Sequence, residues 1–177
     1  MTNAELAILS LIVEAPRHGY ELDQVIEERG MRNWTEVGFS SIYYLLKKME
    51  EKGFIGSKLE QVGGKGPARK VFHPSEQGME ACRAATRDAL EIPHRCYPPI
   101  LLGISNLESL PVSETIAALE CNLETLEDRL DELEERWQNQ LPLPDTVDAL
   151  FDYSTAEIKH RMEWIESFID KLNTDLK

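Results

Sequence analysis

The sequence predicts a mainly α chain: a small helical head ending in a β-hairpin, followed by a long helical tail. Three observations predict it. An amphipathic segment at residues 40–52 follows two shorter helical patterns. An alternating stretch with a glycine-rich turn comes directly after it. The last third of the chain then repeats apolar residues in steps of three and four.

The head begins with Asn3–Glu14, apolar on most sides through Leu6, Ile8, Leu9, Ile12 and Val13, as expected of a helix at the centre of a small domain. Asn3 is its expected cap, and Pro16 stops it. His18-Gly19-Tyr20-Glu21-Leu22 opens a second helix that turns Leu22, Val25 and Ile26 inward and ends near Gly30. A loop containing Trp34 leads to the third helix. There Ile42, Leu45, Leu46 and Met49 form an apolar stripe at i, i+3, i+4, i+7, while Ser41, Tyr44, Lys47 and Lys48 occupy the other side. Ser40 is the expected cap and Gly53 the stop. Phe54–Glu60 alternates, residues 61–67 form a glycine-rich turn, and Arg69–His73 returns as a second strand. Three helices followed by a two-stranded wing make a winged helix-turn-helix. Ser75 then caps a helix running to about Ile92.

The expected domains are a winged helix-turn-helix over residues 1–90, a proline-broken connector with one short helix over 91–111, and a helical dimerisation domain over 112–177. In the last of these, Ile116, Leu119, Leu123, Leu126, Leu130, Leu133 and Trp137 keep an a/d spacing for about three heptads. After Pro142 and Pro144, a second stripe includes Ile158, Ile165 and Ile169. Two coiled-coil-like helices of this length on so small a head carry more apolar edge than one chain buries, so a homodimer is expected through these residues.

Charge distribution points to a partner. The 177 residues carry a net charge of −13, which alone argues against nucleic acid. Residues 86–177 hold 8 basic and 20 acidic side chains, whereas residues 40–73 hold 7 basic and 3 acidic. A local basic segment on an acidic chain is the footprint of a site for a polyanion. Lys47, Lys48, Lys65, Arg69 and Lys70 are the expected phosphate contacts, and Ser40, Ser41 and Tyr44 the candidates for base edges.

Other functions find little support. Cys82, Cys96 and Cys121 have no metal-type spacing, so no cofactor or metal is expected, and reduced thiols suit a cytoplasmic protein. No signal peptide or membrane span is expected. No nucleophile motif is present, and Gly63-Gly64-Lys65-Gly66 lacks the spacing and following helix of a phosphate loop, so the chain is not expected to be an enzyme. Trp34, Tyr97, Trp137 and Trp164 could line a pocket for an aromatic effector, although aromatic residues on apolar stripes are more often core. The competing reading is a protein-interaction module, in which the acidic tail docks a protein partner and DNA is incidental.

Taken together, Leu6-Ala-Ile-Leu9 with His18-Gly-Tyr-Glu-Leu22, the run Ser41-Ile-Tyr43-Tyr-Leu-Leu-Lys47-Lys-Met-Glu-Glu-Lys-Gly53-Phe-Ile55, the Lys65–Lys70 wing tip and Ser75-Glu-Gln-Gly78 resemble a PadR-family transcriptional regulator, over nearly the whole length. The resemblance implies a homodimeric cytoplasmic repressor or activator, a repressor being the leading expectation, on a dyad-symmetric operator in double-stranded DNA. It also implies that Tyr43 contacts the DNA backbone, that the helix carrying it enters the major groove, and that the wing lies along the backbone or minor groove. Pro74 and Ser75 depart from the family pattern, which has a larger apolar residue and a threonine there.

Overall fold

The computed structural model describes residues 1–35, 37–61, 68–93 and 95–175; the side chains of Phe39, Ser40 and Asp175 are outside this description, as is the whole of Lys65. The chain divides into two compact units, Met1–Arg95 and Cys96–Lys177.

In the first unit, α1 spans Asn3–Glu14, β1 Arg17–His18, α2 Gly19–Glu28, α3 Phe39–Glu51, β2 Ile55–Glu60, β3 Arg69–Pro74 and α4 Glu76–Glu91. The expected wing is present, with one addition. β3 pairs with β2 on one side and with β1 on the other, giving an antiparallel sheet in the order β1-β3-β2. A two-residue strand has too few positions to show a period, so Arg17–His18 could not be read as one. It fastens the start of α2 to the wing, with His18 opposite Val71.

The core forms around α1, where Ile8, Leu9 and Ile12 are fully buried, together with Leu22, Ile26, Ile42, Leu46 and Met49. Each such side chain contributes on the order of 2 kcal/mol by leaving water. Along β2 the alternation holds at Ile55 and Ser57 but fails at Leu59, which is 76% exposed because the strand has run past the edge of the core.

The helix starts differ from expectation in two places. Thr2, rather than Asn3, caps α1: its side chain accepts from the Glu5 amide, and the Glu5 carboxylate accepts from the Thr2 amide in return. The T-x-x-E spacing of a capping box was visible in the sequence. α3 starts from Gly38 rather than Ser40. Ser75 caps α4 as expected, accepting from Gly78 N–H.

Glu5 does more than cap. It is 2% exposed, and besides the Thr2 amide it accepts from Lys48 at 3.0 Å and Lys52 at 2.9 Å, tying α1 to the last turns of α3. Burial alone would raise its carboxyl, but the Thr2 amide and the Lys52 and Lys48 ammoniums outweigh that and hold it at about 2, against an ordinary 4.5. The folded value is the lower one. The stabilisation is therefore complete above about pH 4.5 and is lost as pH falls toward 2. With both lysines partly in water, its size is about 2 kcal/mol. Glu5→Ala should lower the melting temperature at pH 7 by roughly 10 °C, and the gap from wild type should narrow steadily as the melts are repeated down to pH 3. A pH-independent gap would mean that the carboxylate charge is not what holds the helices.

In the second unit, α5 spans Pro99–Ser105, α6 Val112–Gln140 and α7 Asp145–Asp175. α6 and α7 pack against each other. Their shared core holds Leu119, Leu126 and Ile165, flanked by half-buried Leu123, Ile158, Met162, Phe168 and Ile169. Trp137 stacks on Phe151 and donates its indole N–H to Asp148 at 2.8 Å, while Trp164 stacks on Phe168. Among the described residues no helix is long and apolar enough to cross a membrane.

Candidate nucleic-acid interface

α3 is buried on one side and open on the other. Ile42, Leu45, Leu46 and Met49 are at most 7% exposed, while Tyr43 and Tyr44 are 57% and 65% exposed and the Lys47 side chain 77%. Stripe and open face are the two sides of one 3.6-residue period. The approach to α3 is braced by Arg32, whose guanidinium donates to the Val37 carbonyl, to Asp23 and to Glu27. Ser41 is half-buried, and its hydroxyl donates to the Gly38 carbonyl, closing the first turn.

Between the open side of α3, the start of α2 and strand β3 lies a groove of about 710 Å³. Tyr43, Lys47, Arg69 and Lys70 line it, together with His18, Gly19, Tyr20, Glu50 and Phe72. The sheet register explains the convergence, since Arg69 and Lys70 sit on the central strand, next to the strand that ends at His18. The Tyr43 ring lies directly over Gly19. A Cβ there would stand 2.7 Å from Tyr43 Cε1, so the glycine is what allows the tyrosine to lie across the start of α2.

The basic residues divide by partner. Lys48 belongs to the Glu5 cluster on the α1 side of the helix, away from this groove. Helical spacing groups Lys48 with Lys47 opposite the apolar stripe, but one residue is a 100° turn, and Lys48 falls on the flank that meets Glu5. Among the described residues Lys47 reaches only Glu51, at 3.8 Å with both side chains well exposed, a pairing of little energetic weight. Lys70 donates to Glu50 at 2.8 Å and stands 5.1 Å above the Phe72 ring. Hydrogen bonds from Lys70 and Ser57 keep the Glu50 carboxyl below its ordinary value. Arg69 lies 3.0 Å from His18 Nε2. The sequence reads His18-Gly19-Tyr20 as a helix start and as part of the family resemblance, but not as part of this groove; the signal is the motif itself, whose small residue sits between two ring side chains.

A three-helix unit whose third helix shows an open aromatic and basic side, followed by a sheet hairpin, is a winged helix-turn-helix. Residues 8–84 match the sequence model described as "Transcriptional regulator PadR-like family". Those residues, which make up the winged helix-turn-helix head, are similar to the PadR-like transcriptional regulators. No curated protein matches the sequence significantly. Solved structures do. Bacillus subtilis PadR in complex with operator DNA is 22% identical, with a TM-score of 0.76 over 95% of this chain and 98% of that one. The same protein in complex with p-coumaric acid is 20% identical, with a TM-score of 0.76 over 97% and 99%. A PadR-like transcriptional regulator from Bacillus cereus is 14% identical, with a TM-score of 0.69 over 97% and 99%. At these identities the likeness establishes a common fold.

Proposed function

We propose that this chain is a homodimeric, sequence-specific regulator that represses by occupying a promoter operator of dyad symmetry in the cytoplasm. The observation that carries the reading is the convergence of Tyr43, Lys47, Arg69 and Lys70 on one groove of an otherwise acidic chain. α3 enters the major groove with Tyr44 and Ser41 nearest the base edges and Tyr43 against the backbone. The wing, including Lys65, follows the neighbouring backbone. Lys48 has a structural part instead, holding α3 against α1 through Glu5. The B. subtilis complex with operator DNA supports the DNA-binding reading, and the complex with p-coumaric acid supports a small-molecule effector as a further partner.

A dimer follows from how half-sites are read. Heads that enter successive major grooves lie roughly 34 Å apart and need a twofold partner. Leu119, Leu126 and Ile165, expected at the dimer seam, are used in the packing of α6 on α7. A second copy would then meet the surface that these three leave open. Leu150, Tyr153 and Trp164 are 44%, 73% and 43% exposed and follow one line along α7, because fourteen residues are close to four helical turns. Leu101 and Leu102 of α5 add further exposed apolar surface. We assign the homodimer contact to these residues.

Two measurements test this function. Fluorescence anisotropy with a labelled duplex from upstream of its own gene should give tight binding that resists scrambled competitor and weakens steeply with salt. Binding lost equally to any sequence would favour a protein-docking module. Sedimentation at micromolar concentration should give about twice the 20.2 kDa chain mass, and the double variant Leu150→Lys/Tyr153→Lys should sediment as a monomer. A dimer that survives that pair would move the interface elsewhere.

A further inference from the structure

His18 stands at the floor of the groove with only 8% of its surface exposed. Its Nδ1 accepts from the Glu21 amide at 3.0 Å, which makes His18 the cap of α2. A backbone N–H can only donate, so a ring that caps the helix carries no proton on Nδ1, and the neutral imidazole holds its one proton on Nε2. Yet the atom beside Nε2, at 3.0 Å, is Arg69 Nη1, and a guanidinium has no acceptor. Two donors therefore face each other at hydrogen-bond distance. Among the described residues the nearest carboxylate oxygen, Glu21 Oε2, is 4.0 Å from Nε2, beyond hydrogen-bond reach. The other oxygen of that carboxylate accepts from Arg17 at 3.0 Å. A buried donor left without an acceptor is costly, and a cation beside it makes the same position attractive to an anionic oxygen.

We propose that His18 Nε2–H and the Arg69 guanidinium together form a clamp for one phosphate oxygen of the DNA backbone. The inference rests on the DNA-binding reading and adds to it a buried neutral histidine as a direct backbone contact. An oxygen about 2.7–2.9 Å from each nitrogen satisfies both donors at once. The clamp lies where β1 pairs with β3, so the phosphate it holds fixes the position of the wing strand and the α2 start together. Its contribution is independent of base sequence, as backbone contacts are.

His18→Asn isolates the contact. Asparagine caps helices well, so the Glu21 amide keeps an acceptor while the Nε2–H donor is lost. On a generic duplex at low salt, the full-length variant should bind about tenfold more weakly than wild type with its salt slope unchanged, since the lost donor is neutral and Arg69 still meets the phosphate. Wild type that binds with a steep slope while His18→Asn keeps wild-type affinity overturns the clamp alone. Wild type with no salt-dependent binding overturns the DNA reading beneath it. A second readout does not depend on the variant folding well: nitrogen NMR of the wild-type ring. The proposal expects the Nε2–H tautomer in free protein, with that proton moving downfield when duplex is added. An Nδ1–H tautomer, in which Nε2 simply accepts from Arg69, would overturn it.

Discussion

Gly78→Ala should destabilise the N-terminal unit by about 3 kcal/mol or more, lowering its melting temperature by roughly 15 °C or more and removing DNA binding with it. Gly78 is buried in the first turn of α4, against the residue that leads into β2. A Cβ at this position would fall 1.9 Å from the Phe54 carbonyl oxygen and 2.8 Å from the carbonyl carbon. Those are backbone atoms, so no side chain can rotate away. The same carbonyl also accepts from the Ser75 amide at 3.0 Å and shares the Ser75 hydroxyl proton, at 3.0 Å, with the Gly53 carbonyl at 2.6 Å. Making room for a methyl group thus separates α4 from the β2 entry and breaks both bonds. Gly103→Ala is the control, since nothing lies within 4 Å of a Cβ there, and alanine in that helix should be neutral or add up to about 1 kcal/mol. Thermal melts by circular dichroism measure both, and equal small effects would mean that α4 docks more loosely than this contact requires.

The second large effect is on binding. Replacing Lys47, Arg69 and Lys70 together by alanine should weaken DNA binding by two orders of magnitude or more at moderate salt and reduce the salt slope by as much as about 2.7 per head, near 0.9 for each phosphate contact removed. All three side chains line the groove, and none belongs to the apolar core, so the melting temperature should change by only a few degrees. Lys48→Ala/Lys52→Ala should behave in the opposite way. Both lysines serve the buried Glu5 carboxylate, so that variant should lose thermal stability while keeping its salt slope. The crossed pattern separates charge at the interface from charge in the scaffold. If the two sets of lysines gave the same slope change, the division by partner would be wrong.

Lys47 and Lys48 also show where a sequence stops being informative. The apolar stripe Ile42, Leu45, Leu46, Met49 fixed which side of the helix is buried, and all four are buried. It did not fix what Lys48 would meet, because Glu5 lies 43 positions away and its role follows from tertiary packing. The wing hairpin was legible from its alternation and glycine-rich turn. The third strand was not, since Arg17–His18 offers two residues and no period. The tail's heptad stripe was legible as two long helices, yet periodicity cannot say whether a stripe faces its own chain or another. Leu126 and Ile165, each 1% exposed, meet within one chain. The groove followed the same rule. Tyr43, Lys47, Arg69 and Lys70 could be named from type and spacing, whereas His18 and Gly19 join them only because β1 brings the α2 start beside β3.

The measurement that bears most directly on the central claim is selection of duplexes by the full-length protein from a pool with a long randomised centre, followed by sequencing of the bound fraction. A dimeric reader should enrich a dyad-symmetric sequence whose half-sites are separated by one helical turn or a multiple of it. Its enrichment should collapse in the Lys47/Arg69/Lys70 triple alanine variant. A bound pool as random as the input, at salt concentrations where wild type still holds DNA, would contradict sequence-specific regulation by this face.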